Sequence, residues 1–109
     1  MLSHKVSLYV PSTQNVGKPL PAGKHEELVS EVKRQFGTAF GGATAVAAEG
    51  GYPASNGDWI EEHITIVYSF HNLETVDALA IVIPIAQTIK YRYGQESIAI
   101  ETEQGIDFI

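Results

Sequence analysis

Along "DWIEEHITIVYSFH", residues 58–71, apolar and polar positions alternate with a period of two, the spacing of a strand whose two faces meet different surroundings. Ile60, Ile64, Ile66, Tyr68 and Phe70 fall on one side, and Trp59, Glu61, His63, Thr65, Ser69 and His71 on the other. The first set is expected to face the core and the second to stay outside. Glu62 falls among the core-facing positions, which places it either at a frayed sheet end or beside a buried cation such as His4. The same alternation marks residues 4–11, where Val6, Leu8 and Val10 oppose Lys5, Ser7 and Tyr9 and Pro11 ends the run. It returns at 96–102, with Ile98 and Ile100 against Ser97, Ala99 and Glu101, and "GIDFI" is a candidate extension of that strand.

Between these runs the period lengthens. From about Lys24 to Phe40 the stripe Leu28, Val32 and Phe36, with Val29 beside it, predicts a helix that Gly37 or Gly41 stops. Asn72 is a candidate N-cap for a second helix with Glu74 in its first turn. Its expected buried stripe is Val76, Leu79, Ala80, Ile83, Ala86 and Tyr93, and Gly94 suits the position after its end. Pro84 is expected to kink or divide it. Residues 43–54 and 58–70 are the arms of a long hairpin closed at Asn56-Gly57, with Gly50-Gly51 and Pro53 marking a bulge or an edge on the first arm. The connection 12–23, "STQNVGKPLPAG", is long and is either a functional lid or a tolerated insertion.

Strand, helix, strand, strand, helix, strand is the ferredoxin-like βαββαβ order of an α+β fold. It predicts one domain over residues 1–109, with a four-stranded antiparallel sheet and both helices on one face. No helix is left for the second sheet face, which must meet water, a ligand or another subunit.

Composition narrows the function classes. The chain has 109 residues, no cysteine and a formal charge of −6. Disulfides, thiolate metal sites and cysteine nucleophiles are excluded, and the charge disfavours duplex nucleic acid. The start lacks the pattern of a secretion signal, and the apolar run 76–89 is too short to span a membrane, so a cytoplasmic protein without membrane contact is expected. The sequence calls for no cofactor.

Few motifs survive inspection. "GKPLPAGK", 17–24, has five residues between its glycines and His25 after Lys24, so it is not a phosphate loop. "HEE", 25–27, lacks the cysteine pair of zinc deaminases. Glu61 and His63 project side by side, but His71 lies about 26 Å further along a continuing strand, so the three cannot hold one metal ion within a chain. Glu61 and Glu62 face opposite ways and form no dyad. The candidate ligand-binding set is Tyr9, Lys18, Trp59, Glu61, His63 and Thr65, with Tyr52, Lys5 and Arg92 as further sources of aromatic surface or charge. No catalytic grouping is assigned.

Phe40-Gly41-Gly42, Thr44, the pair Gly51-Tyr52, and Gly57 followed by Glu61-Glu62 resemble the pattern of small uncharacterised ferredoxin-like proteins of bacteria and phages. The resemblance implies the fold and no activity. The expectation is a homo-oligomeric protein holding a small polar, anionic or nucleotide-like ligand, conceivably a phage-type sequestering protein. The alternatives are a dimeric enzyme using His63 with Glu61 and a module that meets only other proteins.

Overall fold

Alternation at the start, in the long hairpin and at the end becomes a single sheet in the computed structural model, which describes residues 1–15 and 17–109. In chain order the elements are β1 (His4–Pro11), β2 (Thr13–Gln14), β3 (Lys18–Pro19), α1 (Lys24–Phe40), β4 (Thr44–Pro53), β5 (Trp59–His71), α2 (Thr75–Arg92), β6 (Ala99–Thr102) and β7 (Gly105–Phe108). Every pairing is antiparallel, and the main sheet runs β4-β5-β1-β6-β7. It has five strands where four were expected. The "GIDFI" tail does not lengthen β6. It turns back so that Ala99 faces Phe108 and Thr102 faces Gly105, and Gly105 supplies the positive φ of 129° that this tight turn needs. Within the 12–23 connection, β2 and β3 form a small strap, and position 16 lies outside the described residues.

Both helices cover the same face. One buried cluster joins Leu28, Val32 and Phe36 of α1, Val82, Ala86 and Ile89 of α2, and Val6, Leu8, Val10, Val67, Ile98 and Ile100 of the sheet. The α1 stripe is the expected one, and Gly41 ends the helix in a left-handed conformation. The α2 stripe is so only in part: Ala86 is buried, and Leu79, Ile83 and Tyr93 pack partly buried against the cluster. Val76 is 71% exposed, and the buried positions are Ala78, Val82, Ala86 and Ile89. α2 is apolar on nearly every side, so periodicity does not choose a face, and the alanines let it approach the sheet closely. Glu74 takes the N-cap position expected of Asn72. The Asn72 amide instead accepts from the Ser3 amide at 2.9 Å and donates to the Met1 carbonyl at 3.1 Å, pinning the chain start. Pro84 does not divide α2, which runs unbroken from Thr75 to Arg92. Pro84 and Ala80 are both exposed, so the hydrogen bond lost at the proline is one that water replaces.

The faces of β5 are the reverse of those expected. Val6, Leu8 and Val10 pair with Ser69, Val67 and Thr65, and directly paired residues share a face. The helices therefore meet Thr65, Val67, Ser69 and His71, while Ile64, Ile66, Tyr68 and Phe70 point to the uncovered side. Buried polarity on the core side is compatible with burial because each group is bonded: Ser69 Oγ donates to the Gly42 carbonyl, and His71 Nδ1 accepts from the Leu73 amide at 3.1 Å. Glu62, expected on the core-facing side, consequently lies on the uncovered one. At Gly50-Gly51 the pairing of β4 with β5 stays in step from Thr44↔Tyr68 to Pro53↔Trp59, so these glycines mark an edge strand and no bulge.

Val67→Asn is expected to cost about 3 kcal/mol or more, because it buries an unpaired amide in the cluster, and Ile66→Asn about 1 kcal/mol or less. Urea unfolding of the two variants checks this, and the opposite ranking would return Ile66 to the core side.

Candidate functional site

β1 pairs with β5 only as far as Pro11↔Ile64, so residues 59–63 of β5 and 49–53 of β4 continue outward as a two-stranded ribbon. Gly57, with φ of 91°, closes its tip. Both faces of the ribbon are open. They carry different chemistry.

On the helix side lie the pairs Ala47/Thr65, Glu49/His63, Gly51/Glu61 and Pro53/Trp59. Trp59 Nε1 donates to Glu61 at 2.9 Å, and the indole lies so close over Gly51 that a Cβ there would overlap the ring. His63 Nδ1 stands 3.9 Å from Glu49, too far for a hydrogen bond. Where the ribbon meets α1 there is a cleft of about 770 Å³ lined by Ser12, His25, Val29, Lys33, Ala47, Glu49, His63 and Thr65 among others. His25 joins its two walls. Its Nδ1 lies 2.9 Å from the Pro11 carbonyl and its Nε2 2.8 Å from the Thr65 hydroxyl. A carbonyl can only accept, so Nδ1 carries the proton and, in the neutral ring, Nε2 accepts from Thr65.

The opposite face is apolar over most of its width, with Val46, Ile64, Ile66, Tyr68 and Phe70 continuing to Ile106 and Phe108 at the far edge. Lys5 Nζ sits 4.3 Å from the centre of the Tyr68 ring. Tyr9 donates to Glu101 at 3.0 Å, and burial, then that carboxylate, pushes its phenol above its usual value. Near the ribbon, Glu62 stands opposite Gly50, with Tyr52 opposite Ile60 one step outward and Ala48 opposite Ile64 one step inward. Among the described residues the Glu62 carboxylate has no ion pair or side-chain hydrogen bond. Gly50 leaves the backbone beside it bare.

The six residues proposed from sequence are thus distributed over three places. Trp59, Glu61, His63 and Thr65 share the helix-side face, Tyr9 lies on the other face, and Lys18 stands exposed on β3. Glu62 is missing from that set: counting outward from a two-residue Asn56-Gly57 turn would pair it with Gly51, whereas the Ala54 amide closes the loop on the Asp58 carbonyl and sets Glu62 opposite Gly50. No cluster of three or more metal-ligating side chains occurs among the described residues.

A second polar cluster ties the sheet end to the chain start. His4 Nδ1 and the Thr75 hydroxyl bond Glu103 at 2.7 and 2.8 Å. With its own backbone amide as the largest cause, followed by Thr75 and His4, these push the Glu103 carboxyl down to about 2. His71, only 4% exposed, stacks on His4 with ring centres 5.7 Å apart. Burial, then the neighbouring His4, lowers its proton affinity.

No family model matches the chain, and no curated protein matches it. Among solved structures it is similar to a phage SAM lyase in its apo state, with 21% identity and a TM-score of 0.71 over 98% of this chain and 88% of that one. It is similar also to a phage SAM lyase in complex with S-methyl-5'-thioadenosine, at 18% identity and a TM-score of 0.71 over 97% of this chain and 88% of that one. At these identities the likeness shows the fold. No helix among the described residues is long and apolar enough to cross a membrane.

Because His71 binds its proton more weakly folded than unfolded, its contribution is present above the unfolded value of about 6.5 and is lost as pH falls through the lowered folded value. Thermal melts of the wild type between pH 7.5 and 5 are expected to fall more steeply than those of His71→Asn, and parallel curves would remove His71 from the account. Gly51→Ala is expected to displace the Trp59 indole, shifting tryptophan emission while leaving urea stability within about 1 kcal/mol.

Proposed function

We propose that this chain is a SAM-lyase-like enzyme that binds S-adenosylmethionine on the uncovered sheet face, between Glu62, Tyr52 and the bare backbone at Gly50. The observation that carries the reading is the Glu62 carboxylate, without an ion pair or side-chain hydrogen bond among the described residues, on the same largely apolar face as Tyr52 and one strand position from it, in a chain whose fold follows phage SAM lyase over nearly its full length. A sulfonium is a cation attached to a flat base and an apolar methyl group. A carboxylate and a tyrosine ring suit its charge, and a glycine floor admits close approach. The helix-side cleft, with Lys33, His25 and His63, suits it less.

Cleavage to S-methyl-5'-thioadenosine breaks the bond between sulfur and the amino-acid chain. The bonding pair stays on sulfur, which becomes a neutral thioether, and the amino-acid chain either gives up a proton or closes onto its own carboxylate. Glu62 holds the sulfonium electrostatically and is placed to take a proton where one is released. A second copy of this chain covers the apolar face and excludes water from the site. The ferredoxin-like assignment belongs to the same reading. Without β2, β3 and β7, the strand order second-third-first-fourth is that of the split βαβ arrangement.

Incubation of the purified protein with S-adenosylmethionine, followed by mass spectrometry, is expected to yield S-methyl-5'-thioadenosine. Glu62→Gln should lower the rate about 100-fold or more and Glu61→Gln only a few-fold. The reverse order of the two variants would move the site to the helix side. Stoichiometric binding without product would replace the lyase with a sequestering protein.

A further inference from the structure

The cleft between α1 and the ribbon is not used by the proposed lyase site, because Glu62 and Tyr52 face the other side of the sheet. Its volume of about 770 Å³ lies in the range of ligand sites, roughly 300–1,000 Å³. The room comes from sequence. β4 contributes the small Ala47 to the lining opposite α1, and His25 ties α1 to the Thr65 hydroxyl. Within this space His25, Thr65 and Ser12 are committed, since Ser12 Oγ donates to the His63 carbonyl.

The groups left over have both signs. Glu49 and His63 stand side by side at 3.9 Å without a hydrogen bond between them. Across the cleft, Glu26 and Lys33 sit two turns apart on α1, and among the described residues neither forms an ion pair or a side-chain hydrogen bond. A simple anion would meet two carboxylates and the chain's net charge of −6. A simple cation would meet Lys33 and a protonatable imidazole. A zwitterion satisfies both.

We propose that this cleft binds a free α-amino acid with an aliphatic side chain. Its ammonium is held by Glu49 and its carboxylate by the imidazole N–H of His63. These two adjacent protein groups match two adjacent ligand charges. The aliphatic chain lies against Val29 and Ala47, and Lys33 supplies long-range attraction for the carboxylate end. The site stands whether or not the uncovered face cleaves S-adenosylmethionine.

Amide NMR titrations of the full chain with L-methionine, propionate and propylamine test this without any turnover. L-Methionine should bind saturably, with a Kd of roughly 1–10 mM, shifting amides of Val29, Ser30, Glu49, His63 and Thr65, while the two half-ligands should not saturate. Glu49→Gln and His63→Gln, both at exposed positions, should each weaken binding about tenfold, and Ala47→Leu should fill the cleft and abolish it. Absence of saturation by L-methionine overturns the proposal. So does equal binding of propionate or propylamine, or wild-type affinity in both polar variants.

Discussion

Pairing of Leu8 with Val67 decides the rest of this molecule. Strand geometry gives each residue of β5 one of two faces, so a single cross-strand partnership fixes the destination of all thirteen side chains. β1 has one apolar row, Val6, Leu8 and Val10, all fully buried. Its partners must be buried too, and these are Val67 and the small polar Ser69, with Thr65 at the edge. The alternative register, shifted by one, would bring Tyr68 and Phe70 under the helices. It would also strand Val67 outside and leave the Gly42 carbonyl and the Leu73 amide without the side chains that now bond them.

A large apolar surface is therefore left uncovered as a consequence of core formation. Ile64, Ile66, Tyr68 and Phe70 are displaced from the core by the demands of β1 and collect on the other side with Val46, Ile106 and Phe108. The short β7 widens this surface by adding Ile106 and Phe108, the latter 68% exposed. A lone monomer gains nothing from such a patch, whereas a surface that meets a ligand or a second subunit does.

Much of this architecture is legible in the amino-acid sequence. The order of the six expected elements, the extent of α1, the hairpin around Asn56-Gly57 and the inward row of β1 follow from period and turn chemistry, signals that depend on local conformation. The strand β7, the β2–β3 strap, the faces of β5 and the buried row of α2 are not legible, and for the last two the reason is identifiable. β5 alternates apolar residues with Thr65, Val67 and Ser69, so both of its faces pass as half-apolar, and only its partner chooses between them. α2 is apolar all round, so its buried row depends on where alanine allows close approach. The candidate site inherits the first ambiguity. Reversing β5 moves Trp59, Glu61, His63 and Thr65 to the helix side together and sends Glu62 to the apolar face.

The run Glu61-Glu62-His63 shows why the two faces are chemically separate yet physically coupled. In sequence these neighbours form one unbroken run of acidic and basic residues. In the ribbon Glu61 bonds Trp59, His63 stands beside Glu49 on the same face, and Glu62 alone looks out of the other side. Backbone between them is shared, and it is held by β4, through pairs that include two glycines, and by the Ser12 hydroxyl on the His63 carbonyl. A ligand that fixes the ribbon from one side thereby restricts the conformations open to the other. The pairing of residues 49–53 with 59–63 is the shared backbone through which the two surfaces meet.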